Sequence, residues 1–446
     1  MKKLITLLFL LSSVSLLRSQ EINYSFTVNE AVEYALKNSY TIRTAVLDIE
    51  AAEKKKWETT TMGLPQISGT VDYQNFLKQA VTLIPSEIFG GPPGEFEEVI
   101  FGAKQNLNAT ITLNQLLFDG SYLVGLQSAK TYLKISNLAK EKTDQNIREA
   151  VINAYGNVLV AHESILILEK NKSVLEKNLY ETKILLENGF AEVQDYEQQQ
   201  ITLANIDNQL NKATRFEFIA KQMFNLTLGI PIETNVELKE SLENLALKST
   251  DLNIISRSFD LNNHIDFKMA DNNVVVGELL VKFEKSQALP SLNAFVNYSQ
   301  FANNTSNNIF YSNYGDWFDS SLLGISLKVP IFSSLQRSSR TQQAKINLLQ
   351  YEIELNETSE KLKLQVTTAK NKYQFALDQF QTTKQNLVLA ESIADKEQIK
   401  FFEGLSSSIN LTNVQNQLYN KQQEYIQSIL QIIQTKVELE NALNIY

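Results

Sequence analysis

The chain has 446 residues, of which 43% are hydrophobic and 20% charged, with no cysteine and a formal net charge of −9. The absence of cysteine excludes disulfides, thiolate chemistry and cysteine-ligated metals. The acidic balance gives no electrostatic basis for binding nucleic acid, and we expect none as a partner. A chain of this length makes about two or three compact domains, but long stretches without proline favour extended helices instead.

The first 19 residues have the pattern of a secretory signal. Lys2 and Lys3 precede an apolar run at residues 4–11, and small residues follow up to Ser19. Removing this segment, which also contains Arg18, would make the net charge about −12. The apolar run is too short to span a membrane, and we expect no later segment to span one as a helix.

A helix is predicted directly after the signal, because Thr27 and Glu30 can form a capping box in front of an apolar, helix-periodic stretch. We expect this helix to run through Ile42, Leu47 and Ala51 to the basic cluster at residues 54–56. A matching helix is expected at about residues 263–285, because this segment aligns without a gap with the first helical stretch.

Four segments alternate apolar and polar side chains with a period of two, the pattern of a half-buried β-strand. The clearest covers residues 106–114, and the others begin near Ile67, Leu292 and Leu323. Amphipathic strands of about ten residues are typical of outer-membrane barrels, although soluble sheets contain them too. Since four strands cannot close a barrel, lipid-facing strands would have to come from several chains. Three chains with four strands each would give twelve strands.

The segments that join the two strands of each pair are expected to be long, irregular loops. They cover residues 76–103 and 301–319, and they are rich in glycine and proline or in asparagine, serine and aromatic residues. Long outer loops with aromatic residues near the strand ends are typical of the external side of a barrel.

The same order of features occurs twice along the chain. In each half a Leu-Pro pair precedes the strands, and a long proline-free stretch follows them. This stretch is interrupted by glycine 71 positions after Phe118, at Gly189, and 72 positions after Phe332, at Gly404. Such regular spacing predicts a tandem repeat of strands and very long helices.

Each proline-free stretch is predicted to form a long helix, a tight glycine turn and a shorter helix. A helix of about 67 residues would be about 100 Å long, too long for the core of a compact domain, so it must pack along other helices. We place the first copy at residues 20–239 and the second at 240–446.

Motifs of catalysis are not found in the sequence. His162 and His264 have no metal-ligand partner three or four residues away. There is no Walker loop, nucleophile elbow or dinucleotide fingerprint. We therefore expect no enzyme activity, no cofactor and no bound metal.

The chain resembles the TolC-like outer membrane efflux family, the outer membrane factors of tripartite pumps and type I secretion systems. The resemblance covers essentially all of the mature chain. It rests on the two copies, the Leu-Pro pairs, and three local motifs: Leu116-Leu-Phe-Asp-Gly120, Gly189 with Asp195, and Phe224-Asn-Leu-Thr-Leu-Gly-Ile-Pro231. It implies a mainly α-helical fold with a transmembrane β-barrel, in which a homotrimer forms a 12-stranded barrel in the Gram-negative outer membrane and a 12-helix periplasmic tunnel.

The resemblance also implies the function and the partners. The chain would be the passive export channel of a tripartite efflux pump or type I secretion system. A periplasmic adaptor, or membrane fusion protein, would couple it to an inner-membrane pump. Drugs, metal ions and proteins all remain open as cargo. Two alternatives are a structural periplasmic coiled-coil scaffold and a secreted binding protein that uses the long loops.

The helix tips are where the resemblance places the site residues. The adaptor contacts are expected at Asn188, Gly189, Phe190, Glu403, Gly404 and Leu405. The acidic rings that narrow the entrance in the family fall here on the neutral Asn410 and Asn413. We therefore expect a constriction held by amides and by Phe401 and Phe402 in place of a charged gate. Asn410 is equally interpreted as the N-cap of the returning helix, and Asp195 is interpreted as a cap at the first tip.

Overall fold

The computed structural model describes residues 24–304 and 317–445, so the predicted signal at residues 1–19 lies outside the described residues. The helices and strands are as follows in chain order: β1 (Tyr24–Phe26), α1 (Val28–Asn38), α2 (Tyr40–Thr61), β2 (Gln66–Asn75), β3 (Val81–Pro85), β4 (Phe96–Ile100), β5 (Gln105–Asp119), α3 (Gly120–Glu187), α4 (Val193–Leu228), β6 (Val236–Leu238), α5 (Leu242–Ser249), α6 (Asn253–Ser256), α7 (Ile265–Ser286), β7 (Ser291–Asn304), β8 (Trp317–Lys328), α8 (Gln336–Phe402) and α9 (Ser408–Leu443). Two strands, a very long helix, a turn and a shorter helix thus occur twice, with helix lengths of 68 and 36 residues and then 67 and 36. The copy boundaries at 239 and 240 remain a prediction.

The chain divides into two compact units. One unit, here called the helical unit, contains the residues up to 48, residues 137–269 and the residues from 356 onward. The other, here called the sheet unit, contains residues 49–136 and 270–355. Both copies of the repeat contribute to each unit.

The sheet unit contains a four-stranded antiparallel sheet with the strand order β2-β5-β7-β8. All four predicted strands are confirmed, and each extends beyond the alternating segment that predicted it. A bulge between Leu116 and Phe118 shifts the register near the end of β5. β2 and β8 are the outer strands, and neither pairs with another strand on its outer side among the described residues.

The prediction of an irregular loop at residues 76–103 is wrong, because β3 and β4 pair there as an antiparallel hairpin. The buried Ser86 organises its turn: its N–H donates to the Glu95 carbonyl at 2.9 Å, and its hydroxyl donates to the Pro92 carbonyl at 2.8 Å. These hydrogen bonds give the turn backbone internal partners, so the segment is ordered. The second predicted loop shortens because β7 and β8 extend into it, and its residues 305–316 lie outside the described part of the chain.

Two buried tyrosines, one on each of the long helices α3 and α8, organise the core of the helical unit. The Tyr155 hydroxyl donates to the Phe26 carbonyl at 3.0 Å and accepts from the Glu240 N–H at 3.2 Å. The Tyr373 hydroxyl makes the corresponding pair, donating to the Ser249 carbonyl at 2.7 Å and accepting from the Asp251 N–H at 2.8 Å. Burial raises the pKa of Tyr155 to about 12. Each tyrosine therefore ties a connecting segment to its long helix.

The first helical segment begins as predicted and reaches the basic cluster at residues 54–56, but it is interrupted once on the way. The capping box is confirmed, with Glu30 N–H donating to the Thr27 hydroxyl and Thr27 N–H to the Glu30 carboxylate. The helix is interrupted at Ser39, which has an extended backbone between α1 and α2. The break coincides with a close approach of Gly229, where a Cβ would lie 2.5 Å from the Asn38 carbonyl oxygen. Only glycine fits there.

The expectation that no later helix is apolar enough to span a membrane is wrong by length and composition. Among the described residues, α3 contains an 18-residue stretch that meets both criteria, and 44% of that stretch is buried. The same helix supplies Val151, Tyr155 and Val158 to the core of the helical unit. Part of its apolar surface is therefore used in packing against neighbouring helices.

Candidate functional site: the helix tips and the sheet faces

The first helix tip is closed by a glycine in the left-handed conformation. Gly189 has φ +78° at the end of α3. The N–H of Phe190 donates to the Leu185 carbonyl at 2.8 Å, and that of Gly189 donates to the Leu186 carbonyl at 3.0 Å. Asn188 adds a side-chain bond to the Ile184 carbonyl at 2.7 Å. This pattern satisfies the carbonyls at the end of the helix.

The second tip repeats the first. Gly404 has φ +74° at the end of α8. The N–H of Leu405 donates to the Lys400 carbonyl at 2.8 Å, and that of Gly404 donates to the Phe401 carbonyl at 3.0 Å. Glu403 lies exposed just before the glycine. Both predicted tips are therefore built by the same backbone device.

Asp195 takes part in a capping box at the first tip, whereas the second returning helix begins with a different N-cap from the one expected. Ser407, not Asn410, is the N-cap of α9, and its hydroxyl accepts from the Asn410 N–H at 3.3 Å. The N-cap interpretation of Asn410 is therefore wrong, because Ser407 has the extended backbone that the N-cap position requires. At the first tip the Asp195 carboxylate accepts from the Glu192 N–H at 3.0 Å, so Asp195 acts from the first turn of α4.

The two tips of one chain lie side by side along a groove of about 500 Å³, whose lining includes Gly189, Phe190, Asp195, Phe401 and Gly404. Phe401 is only 7% exposed, with its ring 5.2 Å from that of Phe402. Its burial inside the protomer assigns it to packing between the tips rather than to an open constriction. By contrast, Phe190 is 81% exposed.

The apolar surface of the tips is directed to solvent. Besides Phe190, the exposed apolar side chains include Leu405, Val193 and Ile409. Isolated exposed apolar residues are ordinary, but a group of them at adjoining helix tips marks an interaction surface. Asn410 and Asn413 are also exposed, one turn further along α9. The structure thus brings the expected contact residues together and leaves both amides accessible.

A half-buried hydrogen-bond network holds the second tip to its helix. Ser406 donates a hydrogen bond to the Glu397 carboxylate, and Lys400 lies 3.5 Å from the same group. The hydrogen bond from Ser406 lowers the pKa of Glu397. The Asn410 side-chain amide lies 3.4 Å from the same Ser406 hydroxyl. This network, which the sequence did not indicate, connects the turn to Asn410.

The large sheet has one apolar and one polar face. The apolar face is exposed, with side chains contributed by all four strands: Ile67, Val71, Ile111, Val296, Leu323, Ile325 and Leu327. The opposite face carries asparagine, threonine and serine, and Thr110 and Ser299 hydrogen-bond across it at 2.8 Å. A soluble sheet buries its apolar face and wets its polar face. Here the apolar face is uncovered in the single chain.

Aromatic side chains lie at both ends of the apolar face. We call the end where β5 runs into α3 the helix end, and the opposite end the loop end. Phe118 lies opposite Leu292 at the helix end, and Trp317 lies opposite Ala302 at the loop end. Tyr73 and Tyr298 are also exposed toward the loop end.

The two histidines have different partners in the structure. His162 Nδ1 is 3.1 Å from Glu217 Oε1 on an exposed part of α3. His264 is buried, which lowers its pKa, and its Nδ1 accepts from the Asp266 N–H at 3.2 Å. No group of three or more potential metal-ligating side chains occurs within residues 24–304 and 317–445.

Comparison with known proteins matches the whole arrangement. A family model described as outer membrane efflux protein matches residues 31–220 and 260–444. The outer membrane protein TolC of Vibrio cholerae serotype O1 is 22% identical over 351 residues, which cover 74% of this chain and 76% of that protein.

Solved structures show the same fold. A crystal structure of CusC has a TM-score of 0.70 at 15% identity, covering 93% of this chain and 91% of the other. The outer membrane protein VceC of Vibrio cholerae has a TM-score of 0.68 at 13% identity, covering 93% of this chain and 95% of the other. The CmeC outer membrane channel of Campylobacter jejuni has a TM-score of 0.69 at 15% identity, covering 93% of this chain and 85% of the other. These descriptions name outer-membrane proteins and channels rather than enzymes.

Proposed function

The chain belongs to the outer membrane efflux protein family and is an efflux channel of the Gram-negative outer membrane, and from this premise we propose that it works as a homotrimeric, passive export duct. Three copies would contribute four strands each to one 12-stranded barrel and four long helices each to a 12-helix tunnel. The scaffold and the secreted binding protein are not consistent with this family.

The observation that carries the proposal is the uncovered apolar face of a sheet with two open edges. Apolar side chains such as Val71 and Leu323 are exposed on that face. Open edges are not tolerated in the hydrocarbon of a membrane, since every backbone N–H and C=O must find a partner there. Joining β8 of one copy to β2 of the next would pair both edges, face the apolar residues to lipid and enclose the polar face.

The spacing of the aromatic residues supports insertion in a membrane. The rows containing Phe118 and Trp317 are ten residues apart along β7, a distance of about 33 Å along the strand. A strand tilt of about 40° reduces this to about 25 Å, the height of the apolar band in outer-membrane barrels. The two ends of the apolar face would therefore lie at the two interfaces of the membrane.

We assign the adaptor contact to the paired tips. The groove between Gly189 and Gly404 is lined by both helical hairpins of the same chain. The exposed Phe190 and Leu405 beside it offer apolar surface to a partner, and aromatic residues such as phenylalanine are enriched in protein interfaces. A helical adaptor would dock there and couple the duct to an inner-membrane pump, which would supply the energy.

The entrance constriction is assigned to Asn410 and Asn413. Both amides are exposed near the second tip, and their neutral side chains would narrow the opening by hydrogen bonding without binding a cation. Because Phe401 is buried in the single chain, we assign it to packing between the tips.

The duct is tested by ion conductance of the purified protein in planar lipid bilayers. Stable single-channel conductance and detergent-resistant trimers would support it. Release of a soluble monomer by osmotic shock, with no conductance in bilayers, would refute it.

The constriction is tested in the same bilayers. Replacing Asn410 and Asn413 together with alanine should raise the single-channel conductance, because two amides per copy are removed from the narrowest part. Asn420→Ala is the control: it lies on the same face of α9, about 10 Å beyond Asn413. Unchanged conductance in the double variant, or an equal rise in the control, would remove these residues from the constriction.

A further inference from the structure

One row of side chains across the polar face combines a carboxylate with two aromatic rings. Asp72 on β2 lies opposite Asn108 on β5, Asn108 lies opposite Phe301 on β7, and Phe301 lies opposite Phe318 on β8. Neighbouring strands are about 4.8 Å apart, so about 10 Å separates the strand of Asp72 from that of Phe301. The row reads acid, amide, aromatic, aromatic, and it lies toward the loop end of the sheet.

The two rings form an exposed aromatic surface that is not part of a hydrophobic core. Their centroids are 5.4 Å apart with an angle of 29° between the planes, a stacked pair, and both side chains are exposed. They lie on the face that otherwise carries asparagine, threonine and serine. Phe295 is a further aromatic residue on this face, and its ring fills the space above Gly324, where a Cβ would lie 2.3 Å from the ring.

The charges of the polar face are separated along the strands. On β8 the basic residue is Lys328, at the helix end and opposite Ser291. It lies ten residues, or about 33 Å, from Phe318. Asp119, opposite the same Ser291, accepts hydrogen bonds from Ser121 and from the Tyr122 N–H. Asp72 is therefore the charged strand residue in the same row as the aromatic pair.

We propose that Asp72, Phe301 and Phe318 form a contact site for organic cations that carry an aromatic ring. The carboxylate attracts the positive charge, and the two phenyl rings offer stacking and cation–π contacts to the rest of the solute. Anions are disfavoured by Asp72, and lipid is excluded because the row is on the face opposite the exposed apolar residues. The proposal rests on the proposed function, since only a closed barrel makes this face the wall of the duct.

The consequence of trimer formation is a ring of such sites. With β8 of one copy beside β2 of the next, the order acid, amide, aromatic, aromatic repeats around the duct. A departing aromatic cation then meets carboxylates and rings near the external opening, after it has passed the uncharged amides of the wall.

The test compares two cations of equal charge, benzyltrimethylammonium and tetramethylammonium, as blockers of single-channel conductance in planar bilayers. The probes are added from the loop side of the full-length trimer. We expect the benzyl compound to block at the lower concentration. Asp72→Asn, Phe301→Thr and Phe318→Thr should each raise its half-blocking concentration about two- to fivefold.

The matched control is Phe295→Thr, the same substitution on the same face of β7 as Phe301, six residues or about 20 Å nearer the helix end. It should leave the half-blocking concentration unchanged. All variants are first checked for trimers and for normal conductance without blocker, and Phe318→Thr serves where Phe301→Thr does not assemble.

Two results would overturn the proposal while leaving the duct intact: equal block by both cations in the unaltered protein, or normal conductance with no shift in the three variants. An equal shift in Phe295→Thr would overturn it too, because the contact would then not be local. Loss of conductance in the unaltered protein would instead refute the proposed function.

Discussion

Two neighbouring leucines in β8 allow a matched test of which face of the sheet meets lipid. Leu323 is 74% exposed on the apolar face, opposite Val296, and Leu322 is 56% exposed on the polar face, opposite Asn297. The two positions share the same strand and nearly the same depth. We predict that Leu323→Arg prevents or weakens insertion and assembly, whereas Leu322→Arg is tolerated.

The magnitude follows from the position of Leu323 near the middle of β8, which runs from 317 to 328. Arginine on the lipid face near the bilayer midplane costs about 2–4 kcal/mol. Three copies would therefore lose about 6–12 kcal/mol per trimer, comparable with the whole stability of a typical folded domain, about 5–15 kcal/mol. On a wetted polar face the arginine keeps its water and the cost is small.

The assay is the fraction of heat-modifiable trimer in isolated outer membranes, together with the temperature at which the trimer dissociates. The expected result is a strong loss for Leu323→Arg and a near-normal trimer for Leu322→Arg. Equal losses, or a greater loss for Leu322→Arg, would show that the assignment of the faces is wrong.

Three further predictions concern the helical unit. Tyr155→Phe removes the shared partner of the Phe26 carbonyl and the Glu240 N–H and should lower the free energy of unfolding by about 1–3 kcal/mol, measured by denaturant titration. The pKa of Tyr155 is raised to about 12 by burial, so its stabilising contribution is complete below pH 10 and is lost as the pH rises to 12. This fall of about 3 kcal/mol should be missing in the phenylalanine variant, and identical slopes for both proteins would contradict it. Gly404→Ala imposes a left-handed backbone on alanine and should cost about 1–2 kcal/mol, seen as faster proteolysis at the tip. Gly125→Ala, inside α3 and with no Cβ contact closer than 3.8 Å, should not accelerate cleavage.

The strands of the large sheet and the long helices could be predicted because each has a strong local pattern. Period-two alternation marks a sheet with unlike faces, and proline-free stretches ended by Gly189 and Gly404 mark helices with left-handed ends. The hairpin β3–β4 had no such pattern. Its five-residue strands carry apolar side chains on both faces, so the segment was interpreted as a loop.

The remaining errors arise from contacts between segments distant in sequence. The break at Ser39 is associated with the close approach of Gly229, about 190 residues away. The cap of α9 is Ser407, the middle one of three consecutive serines, and only the backbone conformation distinguishes it from its neighbours. The sequence placed Phe401 at the constriction because it lies near the second tip. Its burial could not be predicted, since it depends on the second tip lying beside the first.

The sequence also did not predict that Asp72, Asn108, Phe301 and Phe318 form one row on the polar face. Asp72, Asn108, Phe301 and Phe318 are far apart along the chain, and their juxtaposition follows from strand order and register. The alternation pattern places Phe301 and Phe318 on the polar face once the strands are known to extend to Asn304 and to begin at Trp317.

The most direct test of barrel formation by several copies uses the absence of native cysteine. Within one chain β2 and β8 are separated by two strands, about 14 Å, beyond the limit of about 7 Å for a disulfide. Cysteine at Thr70 on β2, combined in turn with cysteine at Ser320, Leu322 or Ser326 on β8, can therefore link only different copies. The account predicts covalent trimers for at least one pair after oxidation in outer membranes, and none for the single-cysteine variants. Monomers for every pair would contradict it.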